Sequence, residues 1–103
     1  MRIIAVKTLK LYAEKKKETE QSLLSWYQET RKANWENHND LKQQFANASV
    51  INSKRVVFNI HGNKHRLIVD IEYYLQIIFI VWIGTHKGYD KIDAKKVVYV
   101  KAG

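Results

Sequence analysis

The stretch that decides the fold is residues 55–71, RVVFNIHGNKHRLIVDI. On both sides of a central Gly62-Asn63 pair apolar residues recur at every second position, and Arg55, Asn59, Arg66 and Asp70 occupy the other set of positions. This two-residue period around a short glycine-containing loop predicts an antiparallel β-hairpin. If Gly62 and Asn63 form the loop, counting outward gives the register: His61 opposite Lys64, Ile60 opposite His65, Asn59 opposite Arg66, Phe58 opposite Leu67, Val57 opposite Ile68, Val56 opposite Val69 and Arg55 opposite Asp70.

The predicted register separates the hairpin into two faces, because successive side chains of a strand point to opposite sides. One face is apolar: Val56, Phe58, Leu67, Val69 and Ile71. The other face has an Arg55–Asp70 pair far from the turn, and near the turn it has four polar residues: Asn59, His61, Lys64 and Arg66. We expect helices to cover the apolar face and the other face to stay open and polar at one end.

The residues before the hairpin have mostly helical periodicity. The expected elements are a strand at 2–6, a helix from Lys7 to about Lys16, a second helix capped by Thr19, and a short third helix capped by Asn39 or Asp40. The apolar side of the second helix is expected to be Leu23, Leu24, Trp26, Tyr27 and Ala33. The segment NASVINS has the composition of a loop.

The residues after the hairpin begin with QIIFIVWIG, which predicts a central third strand covered on both faces. The polar segment THKGYDK follows it, and the tail KKVVYVKAG is either a last short strand or a loose segment. The predicted fold is therefore a single α+β domain over residues 1–103. It has an N-terminal strand, two to three helices and an antiparallel β-meander.

Composition limits the function. Eighteen Lys and Arg against ten Asp and Glu give a net charge of +8, which favours a polyanionic partner such as RNA. The chain has no cysteine, which excludes disulfides, thiolate nucleophiles and zinc–thiolate sites. The longest apolar run, 77–83, is too short to span a bilayer, and the first residues lack the features of a signal peptide. We expect a cytoplasmic protein with no membrane contact.

The side chains favour acid–base chemistry on an RNA phosphodiester. RNA carries its own nucleophile, the 2′-hydroxyl, so an enzyme needs only a base, an acid and positive charge at the phosphate. Arg66, Lys64, His86, Lys87 and Tyr89 are the right residue types for this chemistry. We expect no metal and no cofactor, since His61 and His65 should lie on opposite faces of the hairpin.

Two ordered motifs resemble a known family. RVVFNIHGNKHRLIV, followed by GTHKGYDKID, resembles the HigB-type branch of the RelE-like toxins of bacterial toxin–antitoxin pairs. The upstream SWYQETRKANW and DLKQQFANASVI also fit, so the resemblance runs from about Ile3 to Asp93. It implies a microbial-RNase-like fold and metal-independent, ribosome-dependent cleavage of mRNA. It also implies a HigA-like helix-turn-helix antitoxin that neutralises the toxin and contacts operator DNA.

The resemblance also suggests roles for individual residues. Arg66 matches the arginine expected to bind the scissile phosphate, Lys64 a basic position beside it, and His86 a candidate general acid or base. Tyr89 and Asp90 match the YD of the terminal motif, and His65 stands where the family commonly has an aromatic residue. The implied catalytic residues are Arg66, His86, Lys64 and Tyr89, and the implied RNA contacts are Asn59, His61, His65, Lys87, Asp90 and Lys91.

Two other functions remain open at this stage. A non-catalytic basic module would block translation by binding RNA or the ribosome and would leave mRNA intact. A basic adaptor would only receive an acidic protein partner and would be harmless alone.

Overall fold

The computed structural model describes residues 1–98, and within them the chain forms an α+β domain. The elements are β1 Arg2–Ile4, α1 Val6–Lys15, a 3₁₀ turn Lys17–Thr19, α2 Glu20–Lys32, α3 His38–Gln44, β2 Ser49–Val50, β3 Arg55–Ile60, β4 His65–Glu72, β5 Ile77–Thr85 and α4 His86–Tyr89. The strands form one sheet in the order β1-β5-β4-β3-β2. The predicted fold class and the β3–β4–β5 meander are confirmed, and β1 adds to the meander in parallel beside β5.

The predicted hairpin register is confirmed from Arg55↔Asp70 to Ile60↔His65. The turn is wider than predicted, because the strands stop at Ile60 and His65 and leave four residues, 61–64, between them. His61 and Gly62 have φ angles of 54° and 66°, which are incompatible with extended strand geometry. The predicted pairing of His61 with Lys64 is therefore wrong as a ladder pair, although the Lys64 amide donates to the His61 carbonyl at 3.4 Å.

The main core lies between the helices and one face of the sheet. The Trp26 and Phe58 rings meet edge to face with centroids 5.3 Å apart, and Phe45 meets Phe58 at 5.1 Å. The buried members of this core include Leu9, Leu23, Leu41, Val56, Ile60, Leu67, Val69, Ile71, Ile78 and Ile80. The helices that build this layer are short or polar, and in residues 1–98 we find none with the length and apolar character needed to cross a membrane.

Two predictions about the second helix are wrong. Thr19 precedes α2, but its hydroxyl donates to the Lys16 carbonyl at 2.7 Å instead of capping α2. The 3₁₀ turn at 17–19 places this hydroxyl over the end of α1, and Thr19 is fully buried there. Leu24 lies outside the apolar side, since it is 46% exposed on the surface of α2.

The connection between α2 and the hairpin also differs from the prediction. The α3 helix is capped by Asn37 and not by Asn39 or Asp40. The Asn37 side chain accepts from the Asp40 amide at 2.9 Å. The predicted NASVINS loop contains β2, which pairs with β3 through Ser49↔Val57 and Val50↔Val56. β2 has two residues, too few to show an alternating pattern in the sequence.

The second face of the sheet is more covered than we expected. Val57, Ile68 and Val81 form a small buried cluster on this face. Five residues from the last part of β5 and the segment that follows it pack against that cluster: Trp82, Tyr89, Ile92, Ala94 and Val97. The tail forms no strand as far as Val98, and its remaining residues, 99–103, lie outside the described part of the chain.

Arg55 anchors this covering segment. Its Nε and Nη2 each donate to an Asp70 carboxylate oxygen at 2.8 Å, in a bidentate pair. Its Nη1 donates to the carbonyls of Ala94 and Lys95 at 3.2 Å and to that of Val97. The arginine is only 8% exposed, so it joins β3, β4 and the C-terminal segment in a buried polar contact.

Replacing Arg55 with methionine should therefore destabilise the protein by about 2–4 kcal/mol, because Asp70 and the three carbonyls would lose their donor. Lys54→Met is the matched control. Its ion pair with Glu72, at 2.6 Å, has side chains 60% and 34% exposed, and its loss should cost less than about 1 kcal/mol. Urea unfolding measures both, and equal free-energy losses would contradict the anchoring role of Arg55.

Candidate active site

A β-bulge in β5 decides which side chains face the open side of the sheet. Ile68 pairs with Trp82 but the next residue, Val69, pairs with Ile80, so Val81 is an extra residue in β5. Ile80 therefore packs in the helix-side core, whereas Val81 and Trp82 both belong to the opposite face. Beyond the bulge, Ile83 contacts the helix-side core and Gly84 is the register partner of Arg66.

The Trp82 indole lies across the backbone of Gly84. A Cβ atom on Gly84 would be 2.4 Å from Cη2 and 2.6 Å from Cζ2 of this indole. The Tyr89 ring lies next to the indole, with centroids 6.3 Å apart, and the Arg66 Cζ atom lies 5.8 Å from the Tyr89 centroid. The Tyr89 ring, which packs beside Trp82, thus supports the guanidinium in a cation–π contact.

The hairpin turn holds one nitrogen of the Arg66 guanidinium. Nη1 donates to the Asn63 carbonyl at 2.8 Å and to the His65 carbonyl at 3.2 Å. Nε and Nη2 take no part in these two bonds. The turn and Tyr89 therefore position the guanidinium. Its Nε and Nη2 atoms remain as a pair of donors with the geometry that a phosphate needs.

The short α4 helix brings His86 to the same end of the sheet. Thr85 caps α4 by accepting from the Gly88 amide at 3.1 Å, and the His86 amide donates to the Lys64 carbonyl at 2.9 Å. The His86 Nδ1 atom lies 3.2 Å from Asp90 Oδ2, and the two side chains are 48% and 59% exposed. A proton on Nδ1 directed at this carboxylate leaves Nε2 to exchange a proton with a ligand.

His65 lies on the other face, away from Arg66. It is 2% exposed, its Nδ1 is 2.6 Å from the Tyr12 hydroxyl, and its Nε2 is 3.4 Å from Glu18 Oε2. Burial lowers the pKa of His65, and the nearby Glu18 carboxylate opposes that change. Contact between His65 and RNA would require the ring to leave this position.

The expectation that His61 and His65 lie on opposite strand faces assumed that His61 is in a strand, but it lies in the exposed turn, and the two ring centroids are 6.4 Å apart. The positive φ angle of His61 ends the strand alternation on which that expectation depended. Even so, residues 1–98 contain no group of three or more His, Cys, Asp or Glu side chains arranged to hold a metal ion.

A family model described as HigB toxin, the RelE-like toxic component of a toxin–antitoxin system, matches residues 19–92. The match covers more than half of the chain, including α2, α3, the hairpin, β5 and α4. The chain belongs to the HigB toxin family. A comparison with curated proteins found no match.

Family membership identifies the biological class of the protein. It is the toxic component of a toxin–antitoxin system, and this class implies an antitoxin partner. Membership of the RelE-like toxins also indicates nuclease activity in general terms.

Most of the residues singled out from the sequence of this HigB-family toxin lie at one end of the sheet. Asn59 is the exposed register partner of Arg66, and His61 and Lys64 lie in the exposed turn beside them. Lys87 is exposed on α4, and Lys91 is exposed just after it. The structure brings these positions together with Arg66, His86, Tyr89 and Asp90, and it leaves His65 beneath the sheet.

Sequence reasoning missed three contributors to the site. Trp82 was hidden in a continuous apolar run, Thr85 was not recognised as a cap, and the Asn63 carbonyl makes a contact that its side-chain type does not reveal. Only Thr85 had a usable signal, because a threonine directly after a strand and before a helical turn is a common cap.

Replacing Gly84 with alanine should destabilise the protein by about 1–3 kcal/mol, because the new methyl group overlaps the Trp82 indole. Gly88→Ala is the matched control, since its Cβ would lie 3.4 Å from Thr85 Oγ1 and 3.6 Å from the indole, within tolerable contact. Thermal unfolding followed by tryptophan fluorescence checks this. Equal melting temperatures for the two variants would contradict the close packing of Trp82 on Gly84.

The lowered pKa of His65 predicts a pH-dependent stability. The unfolded histidine titrates near 6.5, and the folded one below that value, so the unfolded state binds more protons in this range. The contribution of the neutral His65 to the free energy of unfolding should be fully present above pH 6.5. It should decrease as the pH falls through 6.5 toward the pKa of the folded state. The pKa of Glu18 is also lowered, first by its own backbone hydrogen bond, but the stability that this gives is fully present above the ordinary value of 4.5 and is lost only below it.

Urea unfolding at about pH 7.5 and about pH 5 tests this for the wild type and His65→Gln. The variant should lose less stability between the two pH values, because it has no buried imidazole to protonate. The same loss in both proteins would show that other groups cause the pH dependence.

Proposed function

We propose that this HigB-family toxin is a ribosome-dependent mRNA endonuclease that inhibits translation in the bacterial cytoplasm. The observation that supports it best is the position of the Arg66 guanidinium over Tyr89. It lies at the uncovered polar end of the second sheet face, and residues after β5 cover the other end of that face. Arg66, Lys64 and the His86–Asp90 pair meet there on a domain of net charge +8. A polyanion whose reacting atom is a phosphate is the ligand that this set suits best.

Arg66 binds the scissile phosphate in this proposal. As the 2′-hydroxyl attacks the phosphorus, negative charge increases on the non-bridging oxygens, and a prepositioned guanidinium stabilises the phosphorane more than the ground state. Lys64 lies in the adjacent turn, exposed, and adds a second cation at the phosphate. The aromatic surface below Arg66 excludes water from one side of the guanidinium, which strengthens its interaction with the phosphate.

His86 moves protons in this proposal. Asp90 accepts from Nδ1 and orients the ring, so that Nε2 removes the 2′-hydroxyl proton or delivers one to the departing 5′-oxygen. The Tyr89 hydroxyl, on the ring that supports Arg66, serves as the second proton-transfer group. Attack by the 2′-oxygen breaks the bond to the 5′-oxygen and leaves a 2′,3′-cyclic phosphate, or a 3′-phosphate after hydrolysis. The reaction needs neither a metal nor a cofactor.

The surrounding polar residues contact RNA in the same proposal. Asn59, His61, Lys87 and Lys91 are exposed around Arg66 and α4, where they contact mRNA in the ribosome or ribosomal RNA. The antitoxin is a HigA-like helix-turn-helix protein, and it brings the toxin to operator DNA indirectly.

Arg66→Ala and His86→Ala should each reduce mRNA cleavage by at least about 100-fold, because each removes phosphate stabilisation or proton transfer. Each variant should keep its fold, since both side chains are partly or largely exposed. Induction of the chain alone in a bacterium, with primer extension on an abundant transcript, measures cleavage. Cuts in the wild-type strain should be confined to translated regions.

Arg31→Ala is the matched control. Arg31 is an exposed arginine in the last turn of α2. Its backbone carbonyl accepts from the Met1 amino group, which directly precedes the start of β1. That end of β1 pairs with Ile77 at the start of β5, far along the strand from Gly84. Growth arrest with intact mRNA would instead identify a translation-blocking RNA-binding module, and harmless expression would favour a basic adaptor.

A further inference from the structure

A groove of about 510 Å³ lies next to the candidate active site. One wall is the segment between α3 and β2, with Gln44, Phe45 and Asn47, and the other is the end of β3 and the hairpin turn, with Asn59 and Asn63. Its volume is within the range of about 300–1,000 Å³ that is typical of small-ligand sites.

Two residues that line the groove are also neighbours of the Arg66 side chain. Asn59 is the register partner of Arg66 in the hairpin, and the Asn63 carbonyl accepts from Arg66 Nη1 at 2.8 Å. A ligand whose phosphate sits on Arg66 would therefore extend directly between Asn59 and Asn63 into the groove.

The chemistry of the groove differs from that of the adjacent site. None of its lining residues is ionisable, although the chain carries 28 charged side chains, 18 basic and 10 acidic. Four carboxamides and the partly buried Phe45 ring provide hydrogen-bond donors, acceptors and an aromatic surface. No lining residue offers a cation to a phosphate, whereas an uncharged planar group with donors and acceptors on its edge would be satisfied.

The wall formed by 44–48 is fixed before any ligand binds. The Lys42 ammonium donates to the Ala46 carbonyl at 2.6 Å and to the Ala48 carbonyl at 2.7 Å, which holds the segment in a closed loop. The Gln44 Oε1 atom accepts from the Trp35 indole at 3.1 Å, so the orientation of this carboxamide is set. Prepositioned groups bind a ligand with less loss of entropy than mobile ones.

We propose that this groove binds one unpaired nucleobase of the RNA strand, next to the phosphate on Arg66, and that its carboxamides set the base preference at the cut. The proposal rests on the proposed action of the site on RNA, and it assigns Asn47 as a specificity-determining residue. The basic side chains bind the RNA phosphates whatever the base sequence, and the uncharged groove distinguishes one base from another.

The test uses RNA trinucleotides with 2′-O-methyl groups, which cannot be cleaved, and counterparts made abasic at each position in turn. Fluorescence anisotropy measures the Kd for each. The wild type should bind the complete trinucleotide about five- to tenfold more tightly than one of the abasic forms, as expected for one or two hydrogen bonds. Asn47→Ala should reduce that ratio below about twofold, because the carboxamide contact to the base is lost.

Asn34→Ala is the matched control, since Asn34 is an exposed asparagine in the connection between α2 and α3 and does not line the groove. It should keep the wild-type ratio. Equal affinity of the wild type for complete and abasic RNA, an unchanged ratio in Asn47→Ala, or no measurable binding would each overturn the proposal.

A second readout separates this proposal from the proposed function. In cells, Asn47→Ala should still cleave translated mRNA, with a broader distribution of bases at the cut sites. Unchanged base frequencies would overturn the groove proposal and leave the nuclease intact. Base-dependent binding of the trinucleotides with no cleavage in cells would overturn the nuclease and leave the groove.

Discussion

The site depends on one extra residue in β5. Without the bulge at Val81, strict alternation after Ile80 would place Trp82 and Gly84 on the helix side and Ile83 on the open side. The bulge reverses this order for the last residues of the strand. Trp82 then covers Gly84, Tyr89 packs beside Trp82, and Arg66 rests over Tyr89. A local change in strand geometry thus creates the aromatic surface, which agrees with the frequent occurrence of bulges near active sites.

The two arginines of the hairpin show how the structure divides its positive charge. Arg55 is buried, and its guanidinium is occupied by Asp70 and by three carbonyls of the C-terminal segment. Arg66 has no ion pair within residues 1–98, and only its Nη1 bonds to carbonyls. Both lie on the same face, at opposite ends of the same ladder. Arg55 stabilises the C-terminal segment that covers one end of this face, and Arg66 lies at the end that this segment leaves uncovered.

The sequence was sufficient for the hairpin and insufficient for the bulge, for the same physical reason. Polar residues show which face a strand position belongs to, and in the hairpin Arg55, Asn59, Arg66 and Asp70 mark one face. In the run from Ile77 to Ile83 every residue is apolar, so no pattern marks the position where the strand changes face. The register placed His65 on the apolar face opposite Ile60, but it could not reveal its partners Tyr12 and Glu18, because both are distant in the chain. The α3 cap was misassigned because Asn37, Asn39 and Asp40 all have side chains that can accept from a helix amide.

Backbone groups of the hairpin turn take part in several of the contacts that assemble the site. α4 is attached to the hairpin turn by the bond from the His86 amide to the Lys64 carbonyl, and the turn holds Arg66 through the carbonyls of Asn63 and His65. The imidazole of His86 and the ammonium of Lys64 contribute nothing to these bonds, so the chain can lose either group without losing the arrangement. A movement of the turn, in contrast, would displace α4 and Arg66 together. The geometry of the site therefore depends on the hairpin turn as well as on the bulge in β5, while the imidazole of His86 and the ammonium of Lys64 supply chemistry that these backbone bonds do not need.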